Sequence, residues 1–200
     1  PPAGLKRVEA LVTTIENNQG NLIKPGEFDE ASEALDMRPV MASLPEGMTE
    51  EDFIGVVRLA MLTECATDTY ANAITDRARE YKAGWLEHFN EAIWKPDEYA
   101  HTDPFKLMLL KIGIAEEELD REIVETQERA FEHVGGSSPA HVTTFGFVQE
   151  YLTDHWYGMI AKVLRAKAPI AAQMTYRVKK RETLHTSWSR DSTSIPVEPN

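Results

Sequence analysis

Apolar residues recur every three to four positions along most of the chain, and the strict alternation that marks a strand is scarce. The pattern predicts an all-α protein. Leu5, Val8, Leu11, Val12 and Ile15 share one face of a helix over 5–16. Asn18, Gly20, Pro25 and Gly26 then form a loop, and a short helix fits near 28–41. Thr49 followed by an acid at Asp52 reads as a capped helix start. From Phe53 to about Tyr81 there is no proline and one glycine, Gly55, which predicts a single helix of roughly 30 residues, well above the usual length. Helical spacing resumes over 85–112, with Pro96 and Pro104 as expected kinks, and 114–133 is helical and acidic. Gly135-Gly136-Ser137-Ser138-Pro139 is a break and restart, with Ser138 as cap and Pro139 at the first helical position. A third long helix is predicted over 141–166 and a fourth from Pro169 to about Trp188. The polar segment 189–200 reads as a disordered tail. Four long helices with additional short ones predict one helical bundle domain over 1–188, its core over 50–188.

Charge narrows the partners. With 33 acidic against 21 basic residues, a net of −12, the chain lacks the basic surplus that nucleic acid demands. A lone cysteine, Cys65, permits no internal disulfide and suits a reducing compartment, so a cytoplasmic location is expected. No apolar run reaches the ~20 residues of a membrane span, and 1–18 carries no targeting pattern. The opening at Pro1 suggests a processed or trimmed form.

The carboxylates and histidines carry the chemistry. Glu98-Tyr99-Ala100-His101 and Glu182-Thr183-Leu184-His185 are both Glu-x-x-His motifs, and the i, i+3 spacing puts each pair on one helix face. One such motif arises by chance in a chain this rich in Glu; two, each on a long helical pattern, say more. Di-iron carboxylate bundles take one Glu-x-x-His from each of two helices and one Glu from each of the other two. Glu64, inside the apolar stretch from Val57, and Glu150, after Phe145-Gly146-Phe147-Val148-Gln149, lie mid-helix where the apolar face turns inward. Four carboxylates would offset the charge of two iron ions, and two imidazoles would leave coordination positions open for dioxygen. Burying the four acids with no cation would be very costly.

These segments resemble the soluble acyl-[acyl-carrier-protein] desaturases. Leu62-Thr63-Glu64-Cys65-Ala66-Thr67-Asp68-Thr69-Tyr70 is similar to the family's first ligand helix, and Trp94-Lys95-Pro96-Asp97-Glu98-Tyr99-Ala100-His101-Thr102-Asp103 to its Trp-x-x-Glu-Glu-x-x-His-x-Asp. Gly146-Phe147-Val148-Gln149-Glu150-Tyr151-Leu152-Thr153 resembles its third ligand segment, and Pro169 leads by 182 − 169 = 13 residues into the last motif, as in the family. The resemblance spans 52–188. Glu128, in Gln127-Glu128-Arg129-Ala130, copies the third segment more literally, but it lies 30 residues past Glu98 and 54 before Glu182. Glu150, at 52 and 32, keeps the family's spacing, so Glu128 is expected in solvent on a connecting helix over 114–136. Two positions depart from the family: Cys65 replaces a second acid, and Arg181 replaces the Asp that orients a ligating histidine, which puts the tuning of the metal and the electron path in question. Family members also continue well past the last motif, whereas this chain ends 200 − 185 = 15 residues after His185.

The resemblance implies a ferritin-like bundle. Glu64, Glu98, His101, Glu150, Glu182 and His185 would hold two iron ions, with dioxygen as co-substrate and reduced ferredoxin as electron source. The implied reaction is insertion of a double bond into a fatty-acyl chain on acyl carrier protein. The alternatives are a di-iron hydroxylase of a carrier-bound intermediate and a partner-binding bundle without turnover. In the family, a threonine at the place of Thr153 faces the oxygen side and handles protons; the plainer reading is a hydroxyl bonded to its own backbone. Trp85, Trp94 and Trp156 read as packing, Cys65 as a small core residue, and His88, His133, His141 and His155 as surface or supporting residues. Family members pair through bundle helices, so a homodimer is expected through the apolar surplus of 53–81 and 85–112. Finally, 155–181 contains no Asp or Glu but holds Lys162, Arg165, Lys167, Arg177, Lys179, Lys180 and Arg181. Lys162, Arg165, Lys167, Lys179 and Lys180 are the candidate dock for the acidic carrier protein near a channel mouth, against the reading that these cations balance the chain's own acids.

Overall fold

The computed structural model describes residues 3–129, 136 and 138–193, with side chains to Asp191. Among them there is no strand. Helix α1 covers Ala3–Asn17 and buries Val8, Val12 and Ile15, the stripe seen in the sequence. The short helix expected near 28–41 is two pieces, α2 (Asp29–Glu33) and α3 (Arg38–Met41). Helix α4 (Glu50–Cys65) starts where expected: the Thr49 hydroxyl accepts from the Asp52 amide, and the Asp52 carboxylate accepts from the Thr49 amide at 2.9 Å.

The single helix expected over 53–81 is interrupted. Ala66 leaves helical geometry at φ −82°, ψ 7°, and α5 (Thr67–Glu80) follows at once. Side chains take up the freed acceptors: the Thr67 hydroxyl donates to the Glu64 carbonyl at 2.8 Å, and Gln127 Nε2 donates to the Cys65 carbonyl at 3.3 Å. The pattern over 85–112 also divides, into α6 (Gly84–His88), a π-helical stretch (Phe89–Trp94), α7 (Lys95–Glu98) and α8 (Thr102–Ile112). Pro104 sits in the first turn of α8, where an amide has no intrahelical acceptor to lose, and Pro96 directly follows the π-helical stretch inside an unbroken helical run from Gly84 to Glu98. Helix α8 ends at Gly113, whose φ of +107° suits a residue with no Cβ.

Helix α9 (Glu116–Gln127) is the acidic connection, and Glu128 at its end is exposed, as expected. Helix α10 (Pro139–Leu164) opens on Ser138, whose hydroxyl accepts from the His141 amide. Helix α11 (Pro169–Thr193) continues five residues past the predicted end. That corrects the expected tail over 189–193; its remainder, 194–200, and His133 lie outside the described residues.

Helices α10 and α11 run antiparallel along each other, α4 lies against α8 and α9, and α8 also touches α11. The main core joins Phe53, Val57, Met61, Phe105, Met108 and Tyr157, with Leu164 at the end of α10 and Met174 and Val178 of α11. A second cluster seats Val8, Val12 and Ile15 of α1 on Ile93 and Trp188. Among the described residues no helix is long and apolar enough to cross a membrane.

The start of α4 can be tested directly. Thr49→Ala removes the hydroxyl acceptor of the capping box and is expected to cost about 1 kcal/mol in urea unfolding, with the slope unchanged.

Candidate metal centre

Charged residues occupy core positions on four helical segments. On α4 the buried stripe Phe53, Val57, Ala60 and Met61 continues to Glu64. On α10 the stripe Thr143, Glu150, Thr153, Tyr157, Ile160 and Leu164 repeats at seven, three and four residues, and Glu150 falls on it. On α11 the inward face runs through Met174, Val178, Arg181, Glu182 and His185 to Trp188. Glu98 ends α7, and His101 follows one turn later, immediately before α8. Glu64, Glu98, His101, Glu150, Glu182 and His185 are all buried.

These six residues form two overlapping groups whose potential ligand atoms lie within 4.8 Å of one another: Glu64, Glu98, His101 and Glu182; and Glu98, Glu150, Glu182 and His185. Glu98 and Glu182 belong to both. The two Glu-x-x-His motifs are related by an approximate twofold. Glu182 Oε1 lies 2.9 Å from His101 Nδ1, and Glu98 Oε1 lies 2.7 Å from His185 Nδ1. The imidazole rings stack at 5.8 Å with an interplanar angle of 22°.

The donor set fits a pair of cations. His101 Nδ1 also lies 3.0 Å from Glu98 and 3.5 Å from Glu64, and His185 Nδ1 lies 3.6 Å from Glu150. Despite that proximity, Glu98 Oε1, Glu182 Oε1 and both Nδ1 atoms are buried without an aligned hydrogen-bond partner. Buried polar atoms of this kind are normally satisfied. Lone pairs that converge without hydrogen bonds match coordination, and two divalent ions would balance the four glutamates.

Neighbouring side chains orient the carboxylates. The Tyr157 hydroxyl donates to Glu64 Oε1 in a short bond, and Trp94 Nε1 donates to Glu150 Oε1 at 2.9 Å. The Thr153 hydroxyl is 3.0 Å from Glu182 Oε2 and equally close to the Glu150 carbonyl, so both roles weighed for it from the sequence are within its reach. Behind the histidines, the fully buried Asp97 accepts from His185 Nε2 at 2.7 Å and from Arg181 Nε at 2.8 Å. The Arg181 guanidinium also donates to the Gln19 carbonyl at 2.7 Å. Sequence reasoning missed Asp97 and Tyr157 and read Trp94 as packing only. The acid directly before Glu-x-x-His was the available signal for Asp97; the tyrosine and tryptophan stand among many aromatics and carry none.

Without cations these groups hold protons far from their usual ranges. Burial, reinforced by the charge on Glu98, pushes Glu64 up to about 7. Burial and the charges on Glu98, Glu150 and Glu64 push Glu182 well above the ordinary carboxylate range. Burial alone would raise Glu98, but the charges on His101 and His185 outweigh it and hold the group low. Burial would lower both histidines, and the charge on Glu98 turns them upward instead.

Other sequence expectations resolve simply. His88, His141 and His155 are exposed, with His88 against Glu16 and His141 against Ser138. Cys65 is buried, and burial together with the Glu64 charge pushes its thiol up to about 11. Of the basic segment, Arg177 bonds to Glu27 and to the Asn21 carbonyl, Arg181 is buried on Asp97, and Lys179 bonds to Asp154 at 2.8 Å. These three serve internal balance. Lys162, Arg165 and Lys180 are exposed and Lys167 is half-buried; Lys162 and Arg165, with Tyr176 and Lys179, line a groove between α10 and α11.

The raised Glu64 carboxyl has a measurable consequence in the metal-free protein. The unfolded chain releases this proton near 4.5 and the folded chain near 7, so the folded state binds more protons between those values and its stability falls as pH rises through them. Glu64→Gln is expected to remove roughly 3 kcal/mol of that decline, read as a flatter plot of Tm against pH; an unchanged slope would refute it.

No family model, curated protein or solved structure matches this chain. What stands is an all-helical protein with a buried Glu/His cluster able to hold metal ions.

Proposed function

We propose that the chain is a di-iron, dioxygen-dependent oxidoreductase that introduces a double bond into a fatty-acyl chain carried on acyl carrier protein. In this reading α4, α7 with α8, α10 and α11 form a ferritin-like four-helix bundle within one domain. The observation that carries it is the pair of overlapping Glu/His groups, because two Glu-x-x-His motifs and two further glutamates are the donor set of di-iron carboxylate bundles. The substrate comes from the resemblance of 52–188 to the acyl-carrier-protein desaturases.

Glu64, Glu98, His101, Glu150, Glu182 and His185 would hold an iron pair, which would supply the reduction of dioxygen to two waters: two hydrogens would come from neighbouring methylenes, two electrons from two molecules of reduced ferredoxin and two protons from solvent. The chain's own residues do the rest. Tyr157 and Trp94 fix the Glu64 and Glu150 carboxylates by hydrogen bonds, and Thr153 stands within proton reach of Glu182. An apolar cleft lined by Ile74, Leu86, Phe89, Val142 and Phe145 reaches Trp94 and Glu150 and suits the tail of an acyl chain.

The basic groove and this cleft lie on opposite sides of Glu150 along α10. From Gly146 to Lys162 is 16 residues, or about 24 Å of helix. In this reading a carrier docked at Lys162, Arg165, Lys167 and Lys180 would extend its chain along α10 toward the cluster, with the tail in the cleft. Lys179, tied to Asp154, borders this dock. The apolar surplus of 53–81 and 85–112 is mostly turned inward, so the homodimer contact falls better on the exposed Val148, Tyr151, Leu152 and Met159 of α10.

Anaerobic reconstitution with ferrous iron is expected to give about two irons per chain, and Glu98→Ala, which strikes both groups, to lose most of them. Incubation with acyl carrier-bound substrate, dioxygen and reduced ferredoxin is expected to yield an alkene. A hydroxylated product would replace desaturation by hydroxylation, and a folded protein that takes up no iron would end the reading. Reversing Lys162, Arg165 and Lys167 to Glu is expected to slow carrier association at low salt and leave iron content unchanged; unaltered association would move the dock elsewhere.

A further inference from the structure

The two halves of the cluster share a pattern but differ in their support. Within the chain the motifs read Asp97-Glu98-x-x-His101 and Arg181-Glu182-x-x-His185, so the acid that precedes one motif is matched by a cation before the other. Asp97 crosses the pseudo-twofold to accept from His185 Nε2 at 2.7 Å. That bond fixes the His185 tautomer and aims Nδ1 at Glu98 and Glu150. The symmetry-related position, which would face His101, belongs to Arg181, and a guanidinium has no acceptor to offer. His101 Nε2 is fully buried, has no hydrogen-bond partner, and lies 3.9 Å from Asp97.

Arg181 adds to the imbalance. It grips Asp97 through Nε and a terminal nitrogen, and is itself anchored on the Gln19 carbonyl, with its guanidinium 5.8 Å from the Trp188 ring centroid. The carboxylate is thus held toward His185 and away from His101.

Resting on the metal-centre reading above, we infer that Asp97 and Arg181 are positioning residues that make the two metal positions unequal: the group of Glu98, Glu150, Glu182 and His185 fills first, and the group of Glu64, Glu98, His101 and Glu182 fills second and more weakly. An acceptor behind a ligating imidazole orients the ring and raises its basicity, and its loss commonly costs 10–100-fold in metal affinity. A gap of roughly that size is expected between the two steps.

The test is an anaerobic titration of the metal-free full chain with cobalt(II) alone, followed by its visible absorption. The wild type is expected to bind two ions in separate steps. His101→Ala is expected to keep the first step and lose the second, and His185→Ala to lose the tight step. Asp97→Asn, with helical circular dichroism checked, is expected to weaken the first step at least tenfold and leave the second. A measurement that needs no variant fold is the ring N–H resonance of His185 in the metal-free wild type, expected to be downfield and slow to exchange, with none from His101. Two ions bound with one affinity, or a tight step that survives His185→Ala and disappears in His101→Ala, would overturn the inference alone. A folded protein that binds no cobalt would overturn the metal-centre reading and the inference with it.

Discussion

Four glutamates and two histidines packed into one buried volume set the terms for everything around them. Carboxylates held this close repel one another, and each has left its water behind. The protein answers with imidazoles interleaved among the acids, with hydrogen bonds from Trp94 and Tyr157, and with proton affinities displaced in opposite directions on neighbouring groups. These devices offset the negative charge by holding protons on Glu182 and on both histidines, protons that bound cations would displace. The apolar frame of Phe53, Met61, Phe105 and Leu164 therefore holds together a centre that is unfavourable without a counter-charge, which is how a site built for cations differs from a core built for stability.

The inward faces of the helices were legible because burial follows the helical period. Glu64 continues the stripe from Phe53 to Met61, Glu150 shares a face with Tyr157 and Leu164, and the two Glu-x-x-His pairs follow from i, i+3 spacing. Helix starts at Thr49 and Ser138 were legible for the same local reason, since capping needs only neighbours in sequence. What was not legible depends on contacts distant in the chain. The break at Ala66 is supported by Gln127 from another helix, and helix α11 extends past Trp188 because that residue packs on α1. Periodicity is also insensitive to a π-helical turn, so 85–112 looked continuous. Arg181 read as a lost acid; the hydrogen bonds to Asp97 and Gln19 that give it a place join residues 84 and 162 positions away.

The basic segment 155–181 shows why composition locates a surface less well than it locates a fold. Its lack of acids is real, yet Arg177, Lys179 and Arg181 find carboxylates from other elements, and Lys180 lies over the Tyr176 ring. Charge segregation along a helical chain is undone by packing, because neighbours in space come from anywhere. The cations left facing solvent gather where α10 turns into α11, and that is the part of the pattern with meaning for an encounter.

The π-helical stretch over Phe89–Trp94 is one residue more than an α-helix would spend on the same rise. Each residue of a regular α-helix turns the chain by about 100°, so one extra residue there would carry everything after it out of phase. A π-turn absorbs that residue as a local bulge and leaves the turns on either side facing as before. Trp94 and Glu98 thereby meet Glu150 and His185, while Asn90 and Glu91 in the widened turn reach Ala71 and Thr75 of α5. The segment therefore separates two duties along one helix: gaining or losing its extra residue would fall on the seam with α5 and spare the ligands that follow.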